Sequence, residues 1–236
     1  MGIAWRFVLV RPSNALNVGA AARAMSNFGL GDLAAVSPYL EHWSHAKASA
    51  IYGSALLDRA KIVPLEEATA DCHLVLGTAS AHNRQMRRTH LTLPALRGWV
   101  KKRLKKGGRV AVLFGSEKNG LSNEELDHCH AILRIPTIDD APSMNLGQAV
   151  ALIAYELART GFASEVDAPD EDLLEGRQLE GLLDLFMAAM AETGVNAHLK
   201  ESARRQKCRR GLLKWNMSRQ DAAWLRGLLS KLLQRS

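Results

Sequence analysis

The chain has 236 residues and a formal net charge of +7 at pH 7, and 47% of its residues are hydrophobic. This composition supplies enough apolar side chains for a folded core and excludes a disordered chain. No apolar run reaches the roughly 20 residues that a membrane helix needs, and we expect no signal peptide. The three cysteines are far apart, so we expect neither a disulfide framework nor a cysteine zinc site, and a reducing cytoplasm fits best.

Predicted strands and helices alternate as far as Thr160. Strands are predicted where short apolar runs stop at proline, glycine or a turn, and helices where apolar residues recur every three or four positions. The predicted strands, in chain order, cover residues 5–12, 32–38, 72–80, 109–117 and 131–136. The predicted helices cover residues 17–29, 44–57, 93–106, 122–129 and 143–160. Such alternation indicates an α/β fold with a parallel sheet.

After Thr160 an acidic segment with glycine and proline precedes helical sequence that runs to the last residue. We therefore divide the chain into a main domain over residues 1–163, an acidic linker over 164–172 and a basic, all-helical extension over 173–236. Trp215 and Trp224 lie in the extension, where they either stack on bases or pack between helices.

The charges of the chain are concentrated in blocks. Residues 82–109 carry ten Lys or Arg and no acidic residue, and residues 196–236 carry eleven against two acids. Residues 165–192 are the reverse, with nine acids and one base. The basic blocks are typical of a surface that binds polyanions such as RNA, although a basic solvated surface without a ligand has the same composition.

The predicted strand over residues 109–117 runs into a turn that contains two glycines. Gly115, four further residues, Gly120 and Ser122 nearly spell the phosphate-binding loop G-x4-G-K-[ST], but Leu121 stands where that loop needs its lysine. A nucleotide hydrolase is therefore not expected, and no G-x-G-x-x-G supports a dinucleotide site. The glycines indicate either an ordinary strand-to-helix turn or a close approach of the backbone to a ligand. Ser122, with Glu125 three residues further on, predicts a capping box at the start of the next helix.

Two further groups of polar residues are candidate sites. His128, Cys129 and His130 are adjacent and cannot all face one ion on a regular helix or strand, so we expect no metal. Ser143 and Asn145 stand where the last helix of the main domain begins, and they can both cap that helix and line a ligand site.

The segment NVGAAARAMSNFG, residues 17–29, predicts a helix of small residues with a single guanidinium, Arg23. At 100° per residue its apolar stripe consists of Val18, Ala21, Ala22, Met25 and Phe28. Arg23 faces away from this stripe, and the residues that flank it are Gly19, Ala20, Ala24 and Asn27. The ordinary interpretation is a solvent-exposed arginine, but these small neighbours leave room for a second subunit, a substrate phosphate or both.

Three stretches stand in order along the chain: NVGAAARAMSNFG, LFGSEKNGLSNEEL and IPTIDDAPSMNLGQAVALIAYE. Together they resemble the motifs of the SPOUT superfamily of RNA methyltransferases, in its SpoU/TrmH branch, and they fall within residues 5–160. The resemblance implies a parallel sheet with a C-terminal trefoil knot, one of the rare exceptions to unknotted topology. More loosely, the end of the chain resembles the small helical extension of tRNA enzymes in that branch.

The same resemblance implies an activity. It is the S-adenosylmethionine-dependent 2′-O-ribose methylation of tRNA, at anticodon-loop nucleotide 32, by a cytoplasmic homodimer with a composite active site and without metal or membrane. The alternatives are a ribose methyltransferase of ribosomal RNA and a non-catalytic RNA-binding protein on the same fold. A basic extension at the C-terminal end favours tRNA, because many ribosomal RNA enzymes of this branch carry an N-terminal RNA-binding domain.

Carried over by position, Arg23 and Asn17 would be catalytic. An arginine is hardly ever deprotonated, so Arg23 would bind the adjacent phosphate, orient the hydroxyl and stabilise developing charge. The cofactor-binding residues would be Thr78, Ala79, Ser80, Gly115, Ser116, Glu117, Gly120, Ile135, Ser143, Met144 and Asn145. RNA binding is assigned to the basic residues Arg84, Arg87, Arg88, Arg204, Arg205, Lys207, Arg209, Arg210 and Lys214.

Two positions depart from the family pattern. Ala81, with Arg84 nearby, stands where an arginine is common after the Thr78 loop, and Arg11 stands where an acid is common. We expect neither departure to touch the three motifs.

Overall fold

Seven strands and ten α-helices make up the described part of the chain, which comprises residues 2–80, 89–159, 174–215 and 217–234 of a computed structural model. The strands are β1 (Ile3–Val10), β2 (Asp32–Val36), β3 (Lys61–Ile62), β4 (Leu74–Thr78), β5 (Thr89–Thr92), β6 (Gly108–Phe114) and β7 (Ala131–Arg134). The helices of the main domain are α1 (Ala15–Asn27), α2 (Leu40–Ser49), α3 (Ser54–Arg59), α4 (Leu65–Thr69), α5 (Leu96–Arg103), α6 (Asn123–Asp127) and α7 (Leu146–Arg159). Those of the extension are α8 (Gly176–Thr193), α9 (Glu201–Trp215) and α10 (Arg219–Leu233).

The strands form one sheet in the order β3-β2-β1-β6-β4-β7-β5, and every pairing is parallel. The predicted α/β class and the five predicted strands are therefore confirmed. β3 and β5 were not predicted; they are the two edge strands and have only two and four residues. The connection between β4 and β5 passes through residues outside the described ranges, and the trefoil knot stays a prediction.

The sheet is covered on both faces. Phe7 and Leu9 of β1 point into the larger core, which lies under α1, α2, α3, α5 and α7, whereas Val8 and Val10 point into the smaller core beneath α4 and α6. Burial on both faces explains why β6 is a continuous apolar run from Val110 to Phe114 rather than an alternating one. The predicted helix over residues 44–57 is instead α2 and α3, separated by a 3-10 turn at Ile51–Gly53.

Helix α1 is packed more closely than its own helical wheel predicts. A Cβ on Gly19 would lie 2.7 Å from the carbonyl oxygen of Ala46 in α2, and a Cβ on Gly53 would lie 2.5 Å from the carbonyl carbon of Ala22. The predicted apolar stripe is buried, apart from the half-buried Phe28, and Arg23 is exposed, as expected. Of its four flanking residues, however, Gly19 and Ala24 are buried by neighbouring elements, so the idea that both provide free space is wrong. Only Ala20 and Asn27 flank the guanidinium as exposed residues.

The extension has its own apolar core, and it is attached to the sheet domain by main-chain hydrogen bonds. Leu182, Leu183 and Leu212 lie in that core. At the start of α8, the backbone N–H of Gly176 donates to the oxygen of Cys72 at 3.1 Å, and that of Arg177 donates to Ala70 at 2.8 Å. The predicted linker over residues 164–172 lies outside the described residues, so the proposed domain boundaries stay predictions. Within the described ranges, no helix is both long and apolar enough to cross a membrane.

Replacing Gly53 with alanine tests the close approach of this turn to α1. The new Cβ would meet the backbone of Ala22 and Arg23 at 2.5–2.6 Å, so we expect Gly53→Ala to lower the free energy of unfolding by about 1–3 kcal/mol. Urea denaturation followed by circular dichroism measures the effect. Gly98→Ala is the matched control, because a Cβ there meets nothing within 4 Å. It should leave stability unchanged or raise it by up to about 1 kcal/mol; equal effects of the two variants would contradict the packing argument.

Candidate active site at the carboxyl edge of the sheet

Three neighbouring strands, β6, β4 and β7, end side by side at one edge of the sheet. Because parallel strands point the same way, the residues after each of them come together. Thr78 Oγ1 donates to the backbone oxygen of Leu113 at 3.0 Å, and the N–H of Ala79 donates to that of Leu133 at 3.3 Å. The structure thereby brings the predicted cofactor segments at residues 78–80, 115–120 and 135 to a single edge.

The two glycines of the second motif form a tight turn between β6 and α6. The N–H of Gly120 donates to the oxygen of Ser116 at 2.8 Å, and Gly120 adopts φ +65°, which favours glycine. A Cβ on Gly115 would lie 2.1 Å from the carbonyl carbon of Gly120, so the backbone there approaches its own turn. Ser122 and Glu125 then form the predicted capping box at the start of α6.

Glu117, in the middle of that turn, joins the first motif to the second. Its Oε2 accepts from the N–H of Ser13 at 3.1 Å and from Ser13 Oγ at 2.9 Å. Its Oε1 accepts from the N–H of Asn14 at 3.2 Å and from Asn17 Nδ2 at 2.9 Å. The third motif joins the same network, because Asn145 Nδ2 donates to Asn17 Oδ1 at 2.7 Å. The carboxylate of Glu117, as acceptor, and the amide of Asn145, as donor, thus connect residues 100 or more positions apart.

This network keeps Glu117 ionised. Burial opposes the charged form, but hydrogen bonds from Asn17, from the backbone of Glu117 itself and from Ser13 together outweigh it and hold the pKa of Glu117 below its usual range. At neutral pH the side chain is therefore a fixed acceptor, poorly suited to taking up a proton. Its hydrogen bonds fix the position of the turn relative to the start of α1.

The start of α7 completes the edge. Asn145 Oδ1 accepts from the N–H groups of Gly147 and Gln148 at 2.9 and 3.3 Å, which is an N-cap, while the other end of the same amide reaches Asn17. Ser143 is exposed. Met144 and Ile135, two other predicted cofactor residues, are half-buried.

The two predicted catalytic residues lie in different surroundings. Asn17 belongs to the Glu117 network, whereas Arg23 is six residues further along α1, about 9 Å along the helix axis, and is exposed. Within the part of the chain that the structure describes, no hydrogen bond or ion pair holds the guanidinium of Arg23. Among the described residues, neither kind of bond joins Arg23 to the predicted cofactor segments.

The predicted RNA-binding residues divide into three groups. Arg84, Arg87 and Arg88 lie outside the described residues. Arg205 and Arg209 are paired inside the extension: Arg205 contacts Glu180 at 3.0 Å and Asp184 at 2.8 Å, and buried Arg209 donates to Glu180 at 2.9 Å. Of the remaining four, Lys207, Arg210 and Lys214 are exposed. Arg204 is half-buried. A role of these residues in RNA binding stays a prediction.

The histidines near Cys129 have structural roles. His130 Nδ1 accepts from the N–H of Val75 at 3.1 Å, and burial lowers the pKa of His130 to about 4. His128 Nε2 lies 3.6 Å from Glu66 and packs beside Arg209. Among the described residues, no group of three or more His, Cys, Asp or Glu side chains could hold a metal ion.

Sequence reasoning missed two residues of the site, Arg11 and Ser13. Arg11 was expected to touch none of the three motifs, and this is wrong, because its side chain hydrogen-bonds to Glu125 and to the oxygen of Gly120 in the second motif. The partners are more than 100 residues apart, so no local pattern could reveal the pairing. Ser13 was missed for the same reason.

We expect the ionised form of Glu117 to stabilise the fold only above acidic pH. Its folded-state pKa is lowered from 4.5, so its contribution is present above pH 4.5 and disappears as the pH falls through the folded value. Glu117→Gln should be less stable than wild type at pH 7 by about 1–3 kcal/mol, and the difference should shrink below pH 4.5. Thermal unfolding of both proteins at several pH values between about 3 and 7 measures this stability difference. The exposed Glu124→Gln is the control; a pH-independent difference for Glu117→Gln would refute the assignment.

Comparison with known proteins gives the family. Residues 4–155 match the SpoU rRNA Methylase family model. An uncharacterized tRNA/rRNA methyltransferase of Haemophilus influenzae is 39% identical over 154 residues, which are 64% of this chain and 61% of that relative. The TrmJ tRNA (cytidine/uridine-2′-O-)-methyltransferase of Yersinia pestis is 33% identical over 235 residues, covering 96% of this chain and 90% of that protein.

A solved structure is similar over almost the whole chain. The crystal structure of TrmJ from Z. mobilis superposes with a TM-score of 0.83 at 29% identity, covering 96% of this chain and 98% of the other. The similarity therefore includes the helical extension as well as the sheet. The family match and the TrmJ relatives agree with the motifs at the carboxyl edge: the chain belongs to the SpoU methylase family, with a TrmJ-like SPOUT architecture.

Proposed function

We propose that this chain is an S-adenosylmethionine-dependent tRNA 2′-O-ribose methyltransferase that acts at anticodon-loop nucleotide 32. The observation that carries the proposal is the Glu117–Asn17–Asn145 network, which joins the three motifs at the edge where open α/β sheets bind ligands. Relatives named tRNA 2′-O-methyltransferases support tRNA as the substrate.

The residues at the carboxyl edge fit the cofactor. Half-buried Ile135 and Met144 offer apolar surface for an adenine face, exposed Ser143 offers a hydroxyl, and Gly120 leaves the backbone of its turn open. The segments at residues 78–80 and 115–117 would contribute backbone groups from the neighbouring strand ends. When bound, S-adenosylmethionine supplies an electrophilic methyl group. This chain's part is to bind the cofactor, shape the turn and present the ribose.

Arg23 supplies the charge that the reaction needs. Its exposed guanidinium binds the phosphate beside the target ribose, orients the 2′-hydroxyl and stabilises the negative charge that develops on the oxygen. Because Arg23 lies away from the Glu117 network of its own chain, we infer a composite site completed by a second copy. Exposed apolar side chains on α1 and α7 support such a homodimer: Leu16 is 68% exposed, Leu152 39% and Tyr155 50%.

The extension binds the rest of the tRNA. Exposed Lys207, Arg210 and Lys214 follow one another along α9, and phosphate contacts of this kind position a nucleic acid without reading its sequence. Such an enzyme works in the cytoplasm with its tRNA substrate.

The decisive experiment is transfer of labelled methyl groups from S-adenosylmethionine to unmodified tRNA, followed by mapping of the modified nucleotide. Methylation of the 2′-hydroxyl at nucleotide 32 is expected. Methylation of ribosomal RNA instead would select the second candidate, which the description of the matched family favours. Cofactor and RNA binding without transfer to any RNA would select a non-catalytic binding protein.

Arg23→Ala should lower the methylation rate at saturating substrates by about 100-fold or more, because it removes a group that stabilises charge in the transition state. Affinity for S-adenosylmethionine should stay unchanged. Single-turnover kinetics and calorimetry measure the two effects. Arg59→Ala, which removes an exposed arginine from the end of α3, is the control and should keep the wild-type rate. A wild-type rate in Arg23→Ala would rule out the proposed role.

The affinity for tRNA should fall steeply as salt rises, since each phosphate contact releases counterions. A Lys207→Gln/Lys214→Gln double variant should reduce the slope of log affinity against log salt by about two. Filter binding at several salt concentrations measures the slope. Lys61→Gln, on the edge strand β3, should leave the slope unchanged. An unaltered slope in the double variant would place the RNA surface elsewhere.

A further inference from the structure

Arg11 occupies a backbone conformation that its residue type disfavours. It directly follows β1 and adopts φ +51°, in the left-handed region, which costs a non-glycine residue about 1–2 kcal/mol. Its N–H donates to the oxygen of Val36 at 2.8 Å, so the end of β2 fixes its backbone. Arg11 thus combines a left-handed backbone with a side chain that contacts the second motif.

The guanidinium of Arg11 makes three hydrogen bonds to the second motif. Nε donates to Glu125 Oε1 at 2.7 Å, and Nη2 donates to Glu125 Oε2 at 2.8 Å, which is a bidentate pair. Nη2 also donates to the backbone oxygen of Gly120 at 3.2 Å. Glu125 Oε2 in turn accepts from the N–H of Ser122 at 2.7 Å. The pair thus connects the end of β1 with the last peptide of the glycine turn and the first turn of α6.

These bonds hold the end of the glycine turn. Gly120 closes the turn onto Ser116 and Gly115, and its carbonyl is the group that Arg11 contacts. The middle of the same turn is held by Glu117, through the residues that begin α1. One short segment, residues 11–17, therefore fixes the turn at two separate points.

The two attachments have different consequences. The Glu117 network joins the turn to the first turn of α1, whereas the Arg11 bonds fix the direction of the Gly120 peptide, which has φ +65° and no side chain to restrain it. Without Arg11, the Gly120 carbonyl would lose this partner, while the N–H of Gly120 would keep its bond to the oxygen of Ser116. The turn, which is the segment assigned to the cofactor, would then be less restricted in its conformation.

We propose that Arg11 is a positioning residue of the cofactor site, which holds the turn at residues 115–120 in its binding conformation through Glu125 and the Gly120 carbonyl. The inference rests on the proposed function, because it takes the turn as part of the S-adenosylmethionine site. Arg11 acts through other groups and is not itself a catalytic residue.

The test compares Arg11→Ala, Arg11→Lys and Glu125→Gln in the full-length protein. Calorimetric titration with S-adenosylmethionine, in the absence of RNA, should show about 10-fold weaker binding for Arg11→Ala, as expected from the loss of a charged hydrogen-bonded pair. Arg11→Lys keeps the charge without the bidentate geometry and should recover part of the affinity. Glu125→Gln keeps a side chain suited to the capping box, so its affinity for S-adenosylmethionine should lie between those of Arg11→Ala and wild type.

The kinetic readout separates positioning from general destabilisation. In Arg11→Ala the KM for S-adenosylmethionine should rise about 10-fold, while kcat at saturating cofactor should change less than about 3-fold. Arg159→Ala is the matched control, because it breaks another bidentate pair, between Arg159 and Glu156 on α7, with distances of 2.6 and 3.0 Å. That variant should bind the cofactor like wild type.

The outcomes distinguish this inference from the proposed function. If wild type binds S-adenosylmethionine and Arg11→Ala binds it equally well, the role of Arg11 is refuted and the enzyme assignment is untouched. An equal loss of cofactor affinity in Arg11→Ala and Arg159→Ala also refutes the role of Arg11. If wild type binds the cofactor but methylates no RNA, the proposed function fails while the affinity series still decides the role of Arg11. If wild type binds no cofactor, both fail.

Discussion

The site depends on the carboxylate of Glu117 and on its position in the sheet. One anion accepts hydrogen bonds from two backbone N–H groups and two side chains at the start of α1, where the positive end of the helix dipole also favours a negative charge. This is possible because β1 and β6 are neighbours in parallel register, with Leu9 opposite Phe114, so that the segments following both strands meet. The fold thus brings together motifs that are about 100 residues apart, and the carboxylate fixes their relative positions.

Acidic and basic residues that are separated along the sequence pair with each other in the folded extension. Composition separates an acidic block from a basic one, which favours the interpretation that the whole basic block faces RNA. In the structure, Glu180 and Asp184 of α8 pair with Arg205 and Arg209 of α9, so part of the basic block neutralises part of the acidic one. Pairing between helices depends on how they pack, and sequence spacing within one helix does not reveal it. The basic residues that face solvent are consequently fewer than the composition indicates.

What could be predicted from the sequence was mainly local. Buried strands, the capping box at Ser122 and the start of α7 at Asn145 follow from patterns within ten residues, and they are confirmed. The edge strands β3 and β5 are too short and too exposed for such patterns. The contact of Arg11 with Glu125 and the burial of Gly19 by α2 depend on neighbours distant in sequence. A helical wheel describes the apolar stripe of one helix, but not the elements that cover its remaining sides.

The same packing explains how α1 can hold Asn17 in the Glu117 network and also present Arg23 to solvent. Neighbouring elements approach its backbone closely through Gly19, Gly53 and Gly147, because none of these glycines has a side chain to hold them apart. Asn17 at one end of α1 is fixed by Glu117 and Asn145, while Arg23 is carried on the same rigid helix with its guanidinium in solvent. A cation already paired with a carboxylate would have to give up that partner before it could bind a phosphate. In the proposed function, an arginine that is unpaired among the described residues, on a helix held from several sides, would avoid this cost and would be pre-organised for its phosphate.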